Sequence, residues 1–86
     1  MRLKREFIAH EAGAEAVLVP TADAGFSGVV RGNGTLGAIL GLLGEDTTER
    51  DVVAALRERF DAPAGAIERD VARALGELRR IGALDG

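Results

Sequence analysis

Three glycines, Gly32, Gly34 and Gly37, have the G-x-G-x-x-G spacing with which many dinucleotide-binding proteins hold a pyrophosphate. That fingerprint works within a parallel βαβ unit, with an acidic residue about 20 positions further on at the end of the second strand. The residue 20 positions beyond Gly37 is Arg57, which lies inside a predicted helix. The sequence therefore predicts no nucleotide cofactor, and the simpler interpretation is that Gly32 and Gly34 flank a helix-capping Asn33.

Other residues that could do chemistry are few. His10 is the only histidine and there is no cysteine, so a hydrolytic triad would have one candidate base and a metal site would depend on carboxylates. The acids Glu45, Asp46, Glu49 and Asp51 cluster at one predicted helix start, where the helix dipole favours negative charge. We therefore predict neither an enzyme nor a metal site.

The composition indicates one small domain spanning residues 1–86, with an aliphatic core, because the chain has three Phe and neither Tyr nor Trp. The absence of cysteine suits a reducing compartment. No apolar run approaches the roughly 20 residues that a membrane-spanning helix needs. We expect a cytoplasmic protein with no membrane partner. The net charge of −3 does not favour nucleic acid as a partner.

The first third of the chain is predicted to form three strands. Apolar runs at 7–9 and 16–19 predict a hairpin whose loop includes Ala12–Ala14, and the run at 26–31 predicts a third strand. The remaining residues show no further strand signal, so the fold class is predicted to be α+β.

Three helices are predicted to follow the strands. The first covers about Gly34–Leu43, the second begins after a cap at Thr47 or Thr48, and the third covers about Ala64–Ile81, where Gly82 is placed for a left-handed cap. The third helix has an apolar stripe at helical spacing, predicted to be buried, that includes Ile67, Val71, Leu75 and Leu78.

Several short segments, in this order and at these separations, resemble the PqqD family, whose members recognise ribosomally made peptides awaiting modification. The resemblance covers about residues 5–84. The segments are F-x-G-x-V-R-x-N at Phe26–Asn33, D-T-T-E at Asp46–Glu49, F-D at Phe60–Asp61, D-V at Asp70–Val71 and G-x-L at Gly82–Leu84.

The resemblance implies a winged helix-turn-helix fold, with an N-terminal three-stranded antiparallel sheet packed on three helices. It implies a binding protein, with no cofactor, that takes the leader segment of a precursor peptide and presents it to a modifying enzyme, often a radical S-adenosylmethionine enzyme. The leader would add as a strand beside the third strand, in a groove shared with the third helix. The peptide-binding residues so implied are Gly28, Val29, Val30, Arg31, Ala66, Arg69, Asp70, Arg73, Ala74 and Glu77.

The third strand and its surroundings also differ from the family pattern. Family members often carry a large apolar residue before the Asn and an aromatic residue in the first helix, where this chain has Gly32 and Leu40. Gly32 could make the turn more mobile or the groove roomier, so leader specificity does not carry over. The small residues at 28–31 suit an open sheet edge that accepts an incoming strand. Equally, such an edge could be a short one blunted by Arg31.

DNA binding is the alternative function, because the winged helix-turn-helix shape also serves that purpose. Arg69, Arg73 and Arg80 lie together on the face of the third helix away from its apolar stripe, as in a recognition helix. Three acidic residues on the same helix and the negative net charge interrupt the positive surface that phosphate binding needs. Peptide recognition is therefore the predicted function.

Overall fold

The computed structural model describes residues 1–12 and 14–86, so the predicted loop at Ala12–Ala14 includes one residue, Gly13, that lies outside the described part. The α+β class is confirmed, with three helices after a three-stranded antiparallel sheet. The elements are β1 (Arg2–Leu3), β2 (Phe7–Ala12), β3 (Glu15–Pro20), β4 (Val30–Asn33), α1 (Gly34–Leu42), α2 (Glu49–Arg59), α3 (Ala66–Arg80) and β5 (Leu84–Asp85).

The three-stranded sheet has the order β2-β3-β4, and both of its pairings are antiparallel. Ala16 and Leu18 of β3 are fully buried and point toward the helices. Their partners on β4 are Gly32 and Val30. Side chains alternate between the two faces of a strand, so the Cβ positions of Val30 and Gly32 are on the helix side, while those of Arg31 and Asn33 are on the opposite side. Within the described sheet, β4 is an edge strand.

The predicted third strand was placed too early, because β4 begins at Val30 and not at Phe26. Gly28 has φ +129°, which interrupts an extended run. The Phe26 ring lies 6.5 Å from the Phe7 ring, so it anchors the loop against the core and does not belong to the sheet. Asn33 ends β4 and also caps α1, since its side chain accepts hydrogen bonds from the backbone N–H groups of Thr35 and Leu36.

The ends of the other helices have definite causes. Thr48 caps α2 by accepting a hydrogen bond from Asp51 N–H at 3.1 Å. The predicted start of α3 at Ala64 was two residues early, because Gly65 adopts a left-handed conformation and the helix begins after it. Gly82, with φ +77°, ends α3 as predicted, and Ala83 N–H donates back to Leu78 C=O at 2.8 Å.

The buried residues form one core between the sheet and the helices. Val71, Leu75 and Leu78 of α3 are buried as predicted, whereas Ile67 is only half-buried because it lies in the first turn, near the end of the bundle. A short ribbon of β1 with β5 was not predicted, since two residues per strand show no alternation. No helix in the described part of the chain is long and apolar enough to cross a membrane.

Candidate peptide-binding groove

One hydrogen bond, next to the Phe7–Pro20 pair, shows which residues of the sheet form hydrogen-bonded pairs. Thr21 N–H donates to Glu6 C=O at 2.7 Å, and these two residues extend the β2–β3 register, in which Phe7 is opposite Pro20. In an antiparallel ladder, hydrogen-bonded pairs alternate with non-hydrogen-bonded pairs. The Phe7–Pro20 pair is therefore non-hydrogen-bonded, which suits a proline without an N–H. By the same alternation, Val17 and Val19 direct their backbone groups toward β2.

The intervening residues of β3, Ala16 and Leu18, must then direct their backbone groups toward β4. Their partners Gly32 and Val30 form the hydrogen-bonded pairs of the β3–β4 ladder, and their N–H groups point inward. Arg31 lies between these pairs, so its N–H and C=O point to the open edge. The N–H of Asn33 has the same direction. The residue types of the third strand do not show which of them point outward, whereas the register of the sheet does.

A groove of about 300 Å³ runs beside this open edge. Strand β4 and helix α3 form its two sides, and α1 lies beneath it. Its apolar residues make up the floor, and four charged residues make up the rim. The floor consists of Val30, Leu36, Ile39, Ala74 and Leu78, and the rim consists of Arg31, Asp70, Arg73 and Glu77.

The helical repeat explains why α3 supplies both core and groove. Val71, Leu75 and Leu78 are buried against the rest of the protein. Positions 70, 73, 74 and 77 follow the same three-to-four-residue spacing, one step round the helix, and therefore form the adjacent flank. One amphipathic helix thus closes the core with its apolar stripe and borders the groove with the next row of residues.

Some charged residues on the rim are paired within the protein, and others are not. Arg80 Nε lies 2.6 Å from Glu77 Oε2, and this hydrogen bond holds the pKa of the Glu77 carboxyl below its ordinary value of 4.5. Glu77 is therefore ionised at neutral pH and already paired along α3. Asp70 and Arg73 have no ion-pair partner among the described residues. Their charges remain available to groups that enter the groove.

Six of the ten predicted peptide-binding residues line the groove, namely Val30, Arg31, Asp70, Arg73, Ala74 and Glu77. The other four do not. Gly28 and Val29 precede β4, and the Val29 side chain is 53 % exposed. Ala66 and Arg69 lie in the first turn of α3, and position 69 is turned about 100° from position 70.

The sequence patterns did not indicate the contribution of α1, which adds Thr35, Leu36 and Ile39 to the groove. Leu36 and Ile39 are apolar residues three positions apart within the predicted first helix. This spacing did not show that they lie beside β4. Leu78, predicted as core, also borders the groove at its inner side.

Two of the three fingerprint glycines, Gly32 and Gly37, lie in close contact with neighbouring residues. The described sheet is antiparallel, so Gly32, Gly34 and Gly37 do not belong to a βαβ unit. A Cβ at Gly32 would lie 2.9 Å from Leu36 Cβ, and a Cβ at Gly37 would lie 3.3 Å from Glu11 Oε1 and 3.4 Å from Ala16 Cβ. Gly37 therefore lets α1 approach β3 closely. Gly34 has open space around it.

Most of this chain matches the model of a known protein family. Residues 15–84 match the family model described as Coenzyme PQQ synthesis protein D (PqqD). The chain belongs to the PqqD family. The match includes β3, β4 and all three helices, so both sides and the floor of the groove lie within the part of the chain that defines the family.

Two solved structures share the fold. The first is TbiB1 in complex with the TbiA(beta) leader peptide, at 20 % identity and a TM-score of 0.79, covering 100 % of this chain and 96 % of that one. The second is lasso peptide synthetase B1 complexed with the leader peptide, at 22 % identity and a TM-score of 0.71, covering 95 % of this chain and 93 % of that one. No curated protein matches this chain.

Proposed function

We propose that this PqqD-family protein is a single recognition domain, spanning residues 1–86, that binds the leader segment of a ribosomally synthesised precursor peptide. The leader adds as a strand to β4 and is presented to a modifying enzyme, with no catalytic step on this chain. The observation that carries the proposal is the open edge of β4, where the Arg31 N–H and C=O point outward beside an apolar groove. The leader complexes of the two similar structures support it.

Strand addition determines how a bound leader would be read. Main-chain hydrogen bonds to Arg31 and Asn33 would supply sequence-independent affinity. Alternate leader side chains would point into the groove, where Val30 and Ala74 favour apolar groups. The unpaired charges of Asp70 and Arg73 favour a leader that carries charges of both signs. Specificity would therefore come from one apolar row and its charged neighbours.

The modifying enzyme is proposed from family relationships. The resemblance to PqqD proteins favours a radical S-adenosylmethionine enzyme as the partner. One similar structure is a lasso peptide synthetase B1, and this favours lasso peptide maturation as a second candidate pathway. Both candidates need the same leader interaction at β4, so the peptide-binding proposal does not depend on the choice between them.

DNA binding through a winged helix-turn-helix is the alternative. In that architecture α2 and α3 would be the helix-turn-helix and the β2–β3 hairpin the wing. On α3, however, Glu77 is paired with Arg80, and Glu68 lies 2.8 Å from Arg57 Nη2. These pairs occupy the guanidinium groups of Arg57 and Arg80 and so reduce the positive charge that this surface could offer to phosphates. The charge pattern therefore favours a peptide as partner.

Blocking the groove tests the proposed function. Ala74 is half-buried on the groove side of α3, whereas Ala72 is exposed on the same helix and is not among the residues that line the groove. Ala74→Phe should fill the groove and weaken leader binding by at least about tenfold, which corresponds to ~1.4 kcal/mol. Ala72→Phe introduces the same side chain into the same helix and should leave binding unchanged.

The probes are labelled synthetic peptides translated from the short reading frames that neighbour this gene, titrated by fluorescence anisotropy. Melting curves of both variants check that the fold is retained. Equal affinity of the wild-type protein and Ala74→Phe for a bound peptide would contradict the proposal. Binding of duplex DNA by the wild-type protein, with none of the peptides bound, would favour the alternative.

A further inference from the structure

The floor of the groove contains one unusual contact between a strand and the following helix. Leu36, in the first turn of α1, lies over Gly32 of β4 so closely that even a Cβ at position 32 would be 2.9 Å from Leu36 Cβ and 3.2 Å from Leu36 Cγ. Gly32 is not among the glycines with positive φ. Its backbone could therefore accept any L residue, and the space taken by Leu36 is what requires a glycine.

Because of this contact, the apolar group at this point of the groove comes from Leu36 of α1 and not from position 32 of β4. A side chain on Gly32 would point to the helix side of the sheet, as Val30 does, and would itself border the groove. The chain instead supplies that apolar group from α1, because Leu36 is half-buried and lines the groove. None of the three Phe residues lines the groove, so its described floor is wholly aliphatic.

We infer that Gly32 and Leu36 form a coupled pair that sets the depth of the groove, so that it accepts an aliphatic leader side chain and excludes an aromatic one. This inference rests on the proposed function, since it names the class of leader residue that the groove takes. A groove of about 300 Å³ is at the lower end of the range for ligand pockets. Leu36 lines this groove and lies against Gly32, so its position affects the space left for a leader side chain.

The coupling can be measured without any peptide. Gly32→Ala places a methyl group against Leu36 and should lower the melting temperature, and Leu36→Ala in the same chain should recover most of that loss. Gly34→Ala is the matched control, because nothing lies within 4 Å of a Cβ at that position. The coupling is refuted if Gly32→Ala and Gly34→Ala have the same melting temperature. It is also refuted if adding Leu36→Ala to Gly32→Ala lowers the melting temperature further instead of raising it.

The specificity is tested with a displayed library of extended peptides in which one position is randomised, selected on the immobilised wild-type protein and on Leu36→Ala. The wild-type protein should enrich Leu, Ile, Val or Met at that position. Leu36→Ala should shift the enrichment toward Phe and Trp by about tenfold, the effect of changing a pocket by a small apolar group. Gly32→Ala should weaken selection of all peptides, since it drives Leu36 into the groove.

The two levels of failure are distinguishable. If the wild-type protein enriches peptides and Leu36→Ala enriches the same aliphatic residues, the inference is wrong while the proposed function stands. If the wild-type protein enriches no peptide above a carrier-only control, the proposed function fails, and the specificity inference fails with it. The melting experiment still decides whether Gly32 and Leu36 are coupled in the fold.

Discussion

Proline substitutions along β4 distinguish residues whose N–H points to the open edge from residues whose N–H bonds to β3. Proline has no N–H, so it removes one backbone donor and leaves the rest of the main chain in place. At Arg31 the lost donor points to the open edge, where proline is tolerated. At Val30 the lost donor points to Leu18 of β3, inside the sheet. We therefore expect Arg31→Pro to fold and lose leader binding, and Val30→Pro to damage the fold.

The expected magnitudes follow from the burial of each acceptor. Leu18 is fully buried, so its carbonyl would be left without a partner in Val30→Pro, at a cost of about 1–3 kcal/mol. For a domain of this size each kcal/mol corresponds to a melting shift of about 4–8 °C. In Arg31→Pro the unpaired acceptor would belong to the bound peptide. The same 1–3 kcal/mol then becomes a loss of roughly 5- to 150-fold in affinity.

The assay combines thermal melts by circular dichroism with anisotropy titration of a labelled peptide that binds the wild-type protein. Arg31→Ala is the control, because it removes the guanidinium but keeps the N–H, and should bind more tightly than Arg31→Pro. The assignment of the ladder is wrong if Arg31→Pro melts early while Val30→Pro does not. Full affinity in a folded Arg31→Pro would show that the peptide does not add to β4.

Three further predictions concern the fold. Val71→Asp places an unpaired carboxylate in a fully buried position, so cooperative melting should disappear, and a cooperative melt would contradict the burial of α3. Gly76 is exposed within α3, and a Cβ there meets nothing within 4 Å, so Gly76→Ala should raise the melting temperature by about 4–8 °C for a gain near 1 kcal/mol. An unchanged melting temperature would contradict the open space around this position. The hydrogen bond from Arg57 lowers the pKa of the Glu68 carboxyl below 4.5, so this group stabilises the fold above that pH and loses its contribution as pH falls through the lowered pKa. Wild type should therefore melt above Glu68→Gln at pH 7, and this difference should shrink as the pH is lowered below 4.5. A difference that does not change with pH would show that the Arg57 pair is not its origin.

Local sequence signals predicted those features that depend on residues close together in the chain. Asn33 and Thr48 cap helices through their own side chains, and Gly82 ends α3 by its own backbone conformation. The spacing of Val71, Leu75 and Leu78 predicted the buried stripe of α3. Each of these features depends on interactions within a few residues, which is why the sequence alone was sufficient. The family resemblance then implied a peptide site between the third strand and the third helix.

The groove depended on contacts between residues far apart in the chain. Sequence patterns did not show that β4 begins only at Val30, because the interruption comes from the φ of Gly28 and from the Phe26 ring packing toward Phe7. The outward direction of the Arg31 N–H follows from a phase set at Thr21 and transmitted through β3. A strand's own sequence determines the alternation of its side chains. The direction of its free hydrogen-bonding groups is determined by the register with its neighbour, and register exists only once the sheet has formed.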